Sequence, residues 1–206
     1  MMQLLPPELY QAIDHAAAEM TADRDHALAP LFRRGIYQTL AWLDPDAKKN
    51  SRNWLAIYTA EYVLPTWQQQ WPQNIIPVTI LQSATAYLVG DLSKIVVQKE
   101  AEQSWNQLEA LGSGYKVEKD VRVFFAGVAV VQAAFEAISI CGFDQIPLHI
   151  DDTDEQIDAD YSDTARWAAY ACAGRSTDLT NDAIVRQSFW LWWLWEAIPK
   201  AWHVTQ

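Results

Sequence analysis

A chain of 206 residues is long enough to bury a sizeable core in one domain, and half of it is apolar, with 11 Trp, far from the composition of disordered segments. Fifteen Lys and Arg against 26 Asp and Glu leave a formal charge of −11, which repels nucleic-acid phosphates and anionic membrane surfaces. The only cysteines, Cys141 and Cys172, exclude a disulfide scaffold and a CxxC zinc or redox site, and read as buried thiols of a reducing compartment.

The apolar residues recur with helical period from one end of the chain to the other. Pro6 and Pro7 open a helix over 8–20, with Leu9, Ile13, Ala16 and Met20 on one face. A second helix is expected from about Ala29 to Leu43. Asp44 and Pro45 then cap a third, whose apolar face is read as Trp54, Leu55, Tyr58, Tyr62 and Leu64, and which Pro65 should kink or end. Pro77 opens a fourth, carrying Ile80, Leu81, Ala84, Tyr87 and Leu88 up to Gly90. Ser93 caps a fifth reaching Leu111, antiparallel to the fourth because the connection is short.

The most regular segment, Val117 to Cys141, places Val121, Phe124, Phe125, Val128, Val131, Phe135 and Ile138 at spacings of three and four, and predicts a central helix. Ser162 to Ala173 is Ala-rich and helical. Thr180, Asn181 and Asp182 start a last helix through Trp195 to Pro199. Its Trp190, Trp192, Trp193 and Trp195 point in several directions, so other helices should cover most of it. Gly90, Gly112, Gly142 and Gly174 fall where these stretches stop. The expected fold is all-α: a single domain over 1–206, a bundle of about eight helices, with stacked helix pairs as an alternative arrangement. The N-terminus has no secretory pattern and no apolar run nears the roughly 20 residues of a membrane span, so a cytoplasmic protein is expected.

Catalytic motifs are missing from the sequence. It has no Gly-rich phosphate loop, GxSxG elbow, HExxH, or Cys and His at ligand spacing, and His15, His26, His149 and His203 are scattered. Neither a catalytic residue, a resident metal nor a cofactor is expected. The unusual segment is 151–163, where Asp151, Asp152, Asp154, Glu155, Asp158, Asp160 and Asp163 stand with no Lys or Arg among them. Three roles fit it. It is a solvated loop leading into a helix whose first turn favours acids; or a surface that mimics nucleic-acid phosphates and occupies a partner's basic groove; or a calcium site, although it lacks the Gly and the final Glu of an EF-hand loop. Glu61, inside the apolar stretch 54–64, should need an Arg partner, with Arg52, Arg122 and Arg186 as candidates. Most Trp residues should be core, while Trp67, Trp71 and Trp202 are candidates for exposed anchors. A Trp-rich surface would also suit a homodimer interface.

The order Arg52, Leu55 with Ala56, Thr59-Ala60-Glu61, Leu64-Pro65 with Trp67, then Pro77 ahead of Leu81 and Gly90, resembles a family of immunity proteins from bacterial polymorphic toxin systems. Phe189-Trp190 with Trp193, followed by Glu196-Ala197-Ile198-Pro199, resembles its C-terminal pattern. The resemblance spans roughly Arg52 to Pro199. It implies an all-helical protein that neutralises a cognate toxin encoded beside it, and it assigns no toxin contacts. Together with the acidic segment, this predicts a binding protein whose partner is a toxin with a basic surface. A helical carboxylate metal-dependent enzyme and a helical scaffold are the alternatives.

Overall fold

The computed structural model describes residues 5–43, 51–112, 121–139, 142–178 and 181–206. Among them no strand occurs and the fold is all-α. The helices are α1 (Pro7–Ala22), α2 (Pro30–Leu43), α3 (Ser51–Gln70), α4 (Ile76–Val89), α5 (Lys94–Gly112), α6 (Val121–Ala137), α7 (Thr164–Ala173), α8 (Ala183–Trp192) and α9 (Ile198–Thr205). A π-helical turn, Trp193–Ala197, joins α8 to α9, so the two run as one Trp-rich rod. Among the described residues, eight helical rods therefore stand where the periodicity predicted about eight.

Helix α6 is the centre. Its residues from Val123 to Ala137 are buried on nearly all sides, and it packs against α3, α4, α5 and α7, most extensively against α3 and α7. Small side chains make this possible: Ala126, Gly127, Ala129, Ala133 and Ala134 let neighbouring helices come close. A Cβ on Gly127 would lie 2.5 Å from the ring of Trp67, and that ring is fully buried and anchored by its Nε1–H donating to Asn74 O at 2.9 Å. Gly127→Ala is therefore expected to lose about 1–3 kcal/mol in urea denaturation, overpacking outweighing the gain in helix propensity. Gly35→Ala in α2, where the added Cβ meets nothing within 4 Å, should instead gain up to about 1 kcal/mol.

The helix ends follow local chemistry. Gly90 takes φ 94° to close α4 and Gly174 φ 77° to close α7, a region that favours glycine. Asp163 caps α7 by accepting from Arg166 N, and Asp182 caps α8 by accepting from Val185 N, both at 3.1 Å. The central helix starts within the predicted stretch, whose residues 117–120 and 140–141 lie outside the described residues, as do Asp44, Pro45 and Thr180.

Two expectations for α3 are corrected. Pro65 does not end it, because the helix continues to Gln70. Pro65 and Glu61, whose carbonyl loses its partner there, both sit on the exposed face, where that carbonyl is open to solvent. The buried face is Ala56, Ile57, Ala60, Val63 and Trp67, with Leu55 beside it, while Tyr62 is exposed and stacks on Trp192 at 3.9 Å. Trp67 and Trp202 are buried, contrary to the expectation of exposed anchors, and Trp71 is half-buried edge-on to Trp67. In the last rod Trp190 and Trp193 are buried and Trp195 is exposed; Trp193 donates to Thr59 Oγ1 at 3.0 Å and ties the π turn to α3.

Candidate functional site

Between α6 and α7 the chain crosses the surface as a long loop, residues 142–163, containing three short 3₁₀ turns at 143–145, 154–156 and 159–161. A loop of this length with so little regular structure is held in place by other means. Buried arginines supply them. Arg33, wholly inaccessible on α2, donates Nε and Nη2 to Asp163 at 2.9 and 3.1 Å, Nη2 and Nη1 to Asp154 at 2.5 and 3.1 Å, and Nη1 to Leu28 O at 2.6 Å. Its neighbour Arg34 donates to Phe143 O and Ile146 O. Arg166, on α7, reaches back to Ile157 O at 3.0 Å and Ser162 Oγ at 2.6 Å. Arg52, on α3, pairs with Asp144 and lies over the Tyr37 ring at 4.5 Å. A planar guanidinium with five donors suits this work, since it can hold several carbonyls and carboxylates at once.

The electrostatics of the pair follow from the count of donors. Burial opposes the charge on Arg33, but Asp154 and Asp163 outweigh it and hold the guanidinium protonated. Burial likewise pushes Asp163 up, yet Arg33, Tyr37 Oη at 2.8 Å and Arg166 N overcome that and keep its carboxyl below the ordinary range. Asp154, whose donors among the described residues are those of Arg33, is carried up by its burial.

The acidic run is thereby divided. Asp163, counted in the sequence with the surface charges, is fully buried and forms the corner of an internal ion cluster, and Asp154 turns inward to the same arginine. Asp152 is half-buried and accepts from His149 N at 2.6 Å, shaping the turn before it. Asp151, Glu155, Asp158 and Asp160 face solvent. Asp158 accepts from Asp160 N, and Glu155 accepts from Ser176 N and Oγ. Although partial burial works against it, the Ser176 bonds hold Glu155 below its ordinary range. No three His, Cys, Asp or Glu among the described residues are grouped to hold a metal ion.

Glu61 is corrected as well. It is exposed, and its carboxylate lies 3.9 Å from Lys200 Nζ, which in turn sits over the Tyr58 ring. The three arginines proposed for it are placed elsewhere: Arg52 at Asp144, Arg122 on the carbonyls of Cys172 and Ala173, and Arg186 on Asp25 O, Gly174 O and Asn181 Oδ1. The buried glutamate is Glu136 on α6, 3% exposed, accepting from Thr164 N at 2.6 Å and Thr164 Oγ1 at 2.7 Å. Burial raises its pKa to about 7, with Arg52 and the Thr164 bonds opposing and Asp163 adding to the rise. A signal for both missed residues was present. Arg33 stands in the stripe with Ile36, Tyr37 and Leu40, and Glu136 stands three residues after Ala133 and beside Ala137 in the central helix.

The sequence matches the family described as Immunity protein Imm5 over residues 13–200. The chain belongs to the Imm5 immunity protein family. The match takes in α2, α3, α6, the long loop and the Trp-rich rod, so the arginine-held loop lies within the family's extent. No curated protein shows significant similarity to this Imm5 member.

Proposed function

We propose that this Imm5 chain neutralises a cognate bacterial toxin by binding it, with the exposed carboxylates of the 151–160 segment meeting a basic surface on the toxin. It acts as one helical domain in the cytoplasm and without catalysis of its own. The observation that carries the reading is how the acid run is used. Arg33 neutralises Asp154 and Asp163, and none of the ion pairs among the described residues engages Asp151, Asp158 or Asp160. The chain thus uses buried Arg33, Arg34 and Arg166 to fix the loop and leaves a set of carboxylates facing outward. A fixed loop loses little freedom on association, and its charge steers a basic partner from a distance. The formal charge of −11 acts in the same direction.

The test replaces Asp151, Asp158 and Asp160 together by Asn and measures affinity for the purified toxin encoded beside the gene. At low ionic strength the variant should bind about tenfold more weakly, chiefly through slower association. The gap should narrow at physiological salt, where screening shortens to about 8 Å. Unchanged affinity together with an unchanged salt slope would remove the segment from the interface.

A further inference from the structure

The turn between α1 and α2 faces the 150–155 stretch of the loop across a cavity of about 360 Å³, whose wall includes Ala27, Ala169, Tyr170 and Trp190. Among the described residues its lining carries six carboxylates, those of Asp23, Asp25, Asp151, Asp152, Asp154 and Glu155, against one cation, Arg186. Four of the carboxylates already have work. Asp23 accepts from Asp25 N and Ala27 N, Asp152 from His149 N, Asp154 from Arg33, and Glu155 from Ser176. Arg186 is engaged by Asp25 O, Gly174 O and Asn181 Oδ1. The carboxylates of Asp25 and Asp151 enter no hydrogen bond or ion pair with the described residues.

The wall points to a ligand independently of the charge. Trp190 is 1% exposed, and its Nε1 is a buried polar atom without a hydrogen-bond partner. Tyr170, 4% exposed, is already served by Arg166, whose guanidinium lies 5.5 Å from its ring centre and is a side-chain hydrogen-bond partner of the phenol. A buried polar group left unsatisfied keeps its full desolvation penalty, so the Trp190 indole marks a place where something else is expected to bind. An indole N–H can only donate. The cavity therefore asks for a hydrogen-bond acceptor in its depth and a cation among its carboxylates. A basic residue on a peptide segment provides both, through its backbone carbonyl and its ammonium or guanidinium. Asp151 and Glu155 belong to the cavity lining and to the exposed acidic face alike, which makes the cavity the deepest point of that face.

We propose that this cavity receives a Lys or Arg residue of the partner protein, anchoring it between Asp25 and Asp151 with Tyr170 and Trp190 behind. The proposal rests on the toxin-binding reading above. Burying a charged side chain in a fitted pocket of this kind is the usual character of an interface hot spot.

The test has two arms. In the first, the indole N–H signal of Trp190, assigned by its loss in Trp190→Phe, is followed by NMR while N-acetyl-arginine amide is added to the full chain. The signal should move and saturate. N-acetyl-norleucine amide should leave it in place, and Ala27→Trp, which fills the cavity without altering charge, should abolish the response. Asp25→Asn, milder for folding, should weaken it severalfold. No movement with the arginine amide, or an equal movement with the norleucine amide, would overturn the proposal and leave the cavity to water. In the second arm the purified toxin is the probe. Ala27→Trp, with its melting temperature unchanged, should reduce affinity tenfold or more. If it binds as the wild type does while the Asp151, Asp158 and Asp160 triple variant is weakened, the cavity proposal fails and the acidic face stands. If neither variant is weakened, both readings fail.

Discussion

Replacing Arg33 with Met is expected to destabilise the fold by about 3–5 kcal/mol and to lower Tm by roughly 10 °C. The side chain is wholly buried and makes five hydrogen bonds, to two carboxylates and a carbonyl. Met matches its length and its apolar stem, so the loss is not one of volume. What remains is Asp163, fully buried, with Tyr37 Oη and Arg166 N as its surviving donors, and Asp154 turned toward a group that no longer carries charge. An uncompensated buried carboxylate is the most expensive product of breaking such a pair. Arg175→Ala, which removes an exposed pair with Asp178, is the control and should change stability by no more than about 1 kcal/mol. Urea and thermal denaturation followed by circular dichroism measure both. A loss below about 1 kcal/mol for Arg33→Met would show that the loop is not held by this cluster.

The second large effect is on the pH dependence of stability. Glu136 has a native pKa raised to about 7 by burial, whereas in the unfolded chain it titrates near its ordinary value of 4.5. Between those values the native state keeps a proton that the unfolded state has released. The stability this contributes is full below about pH 4.5 and is lost as pH rises through 7. The amount at stake is of order 3 kcal/mol, since each tenfold difference in proton affinity between the two states is worth about 1.4 kcal/mol. Arg52 and Asp163 face the group from their own elements and act in opposite directions, so neither cancels the effect of burial. Glu136→Gln keeps an oxygen to accept from Thr164 and has no proton to lose. Urea midpoints between pH 5 and 8 should fall with pH in the wild type and fall less in the variant, the difference between them isolating this residue. Equal slopes would mean that Glu136 does not titrate in this window. Asp163 behaves in the opposite sense: its depressed pKa contributes stability that is present above about pH 3.8 and lost as pH falls further.

Arg33 and Glu136 also mark the boundary of what the sequence makes legible. Helices were readable because apolar spacing, prolines and glycines all point the same way in this chain. Leu9, Ile13, Ala16 and Met20, predicted as one face, are the buried residues of α1. The Gly90 and Gly174 stops carry the positive φ that the pattern implied. Glu61 went astray because Trp54, Tyr58 and Tyr62 were counted as one buried face, whereas Trp54 and Tyr58 are half-buried and Tyr62 is exposed with its ring stacked on Trp192. Pro65 does not stop α3 because it and the carbonyl of Glu61 that it leaves unpaired both lie on the exposed face. The acid run showed where charge accumulates along the chain. It could not separate Asp154 and Asp163 from their neighbours, because their partner Arg33 is 121 and 130 residues away in sequence. Only the packing of α2 against the loop brings them together.

Hydrogen exchange on the complex with the purified toxin decides whether the acidic loop is the contact surface. Binding is predicted to slow amide exchange in residues 150–160 and in the facing turn 23–29, with smaller changes elsewhere. The chain has a second surface with the makings of an interface, the aromatic face of Tyr58, Tyr62 and Trp192. Protection confined to that face, with the acidic loop exchanging as freely as before, would place the interface there and refute toxin binding through the loop.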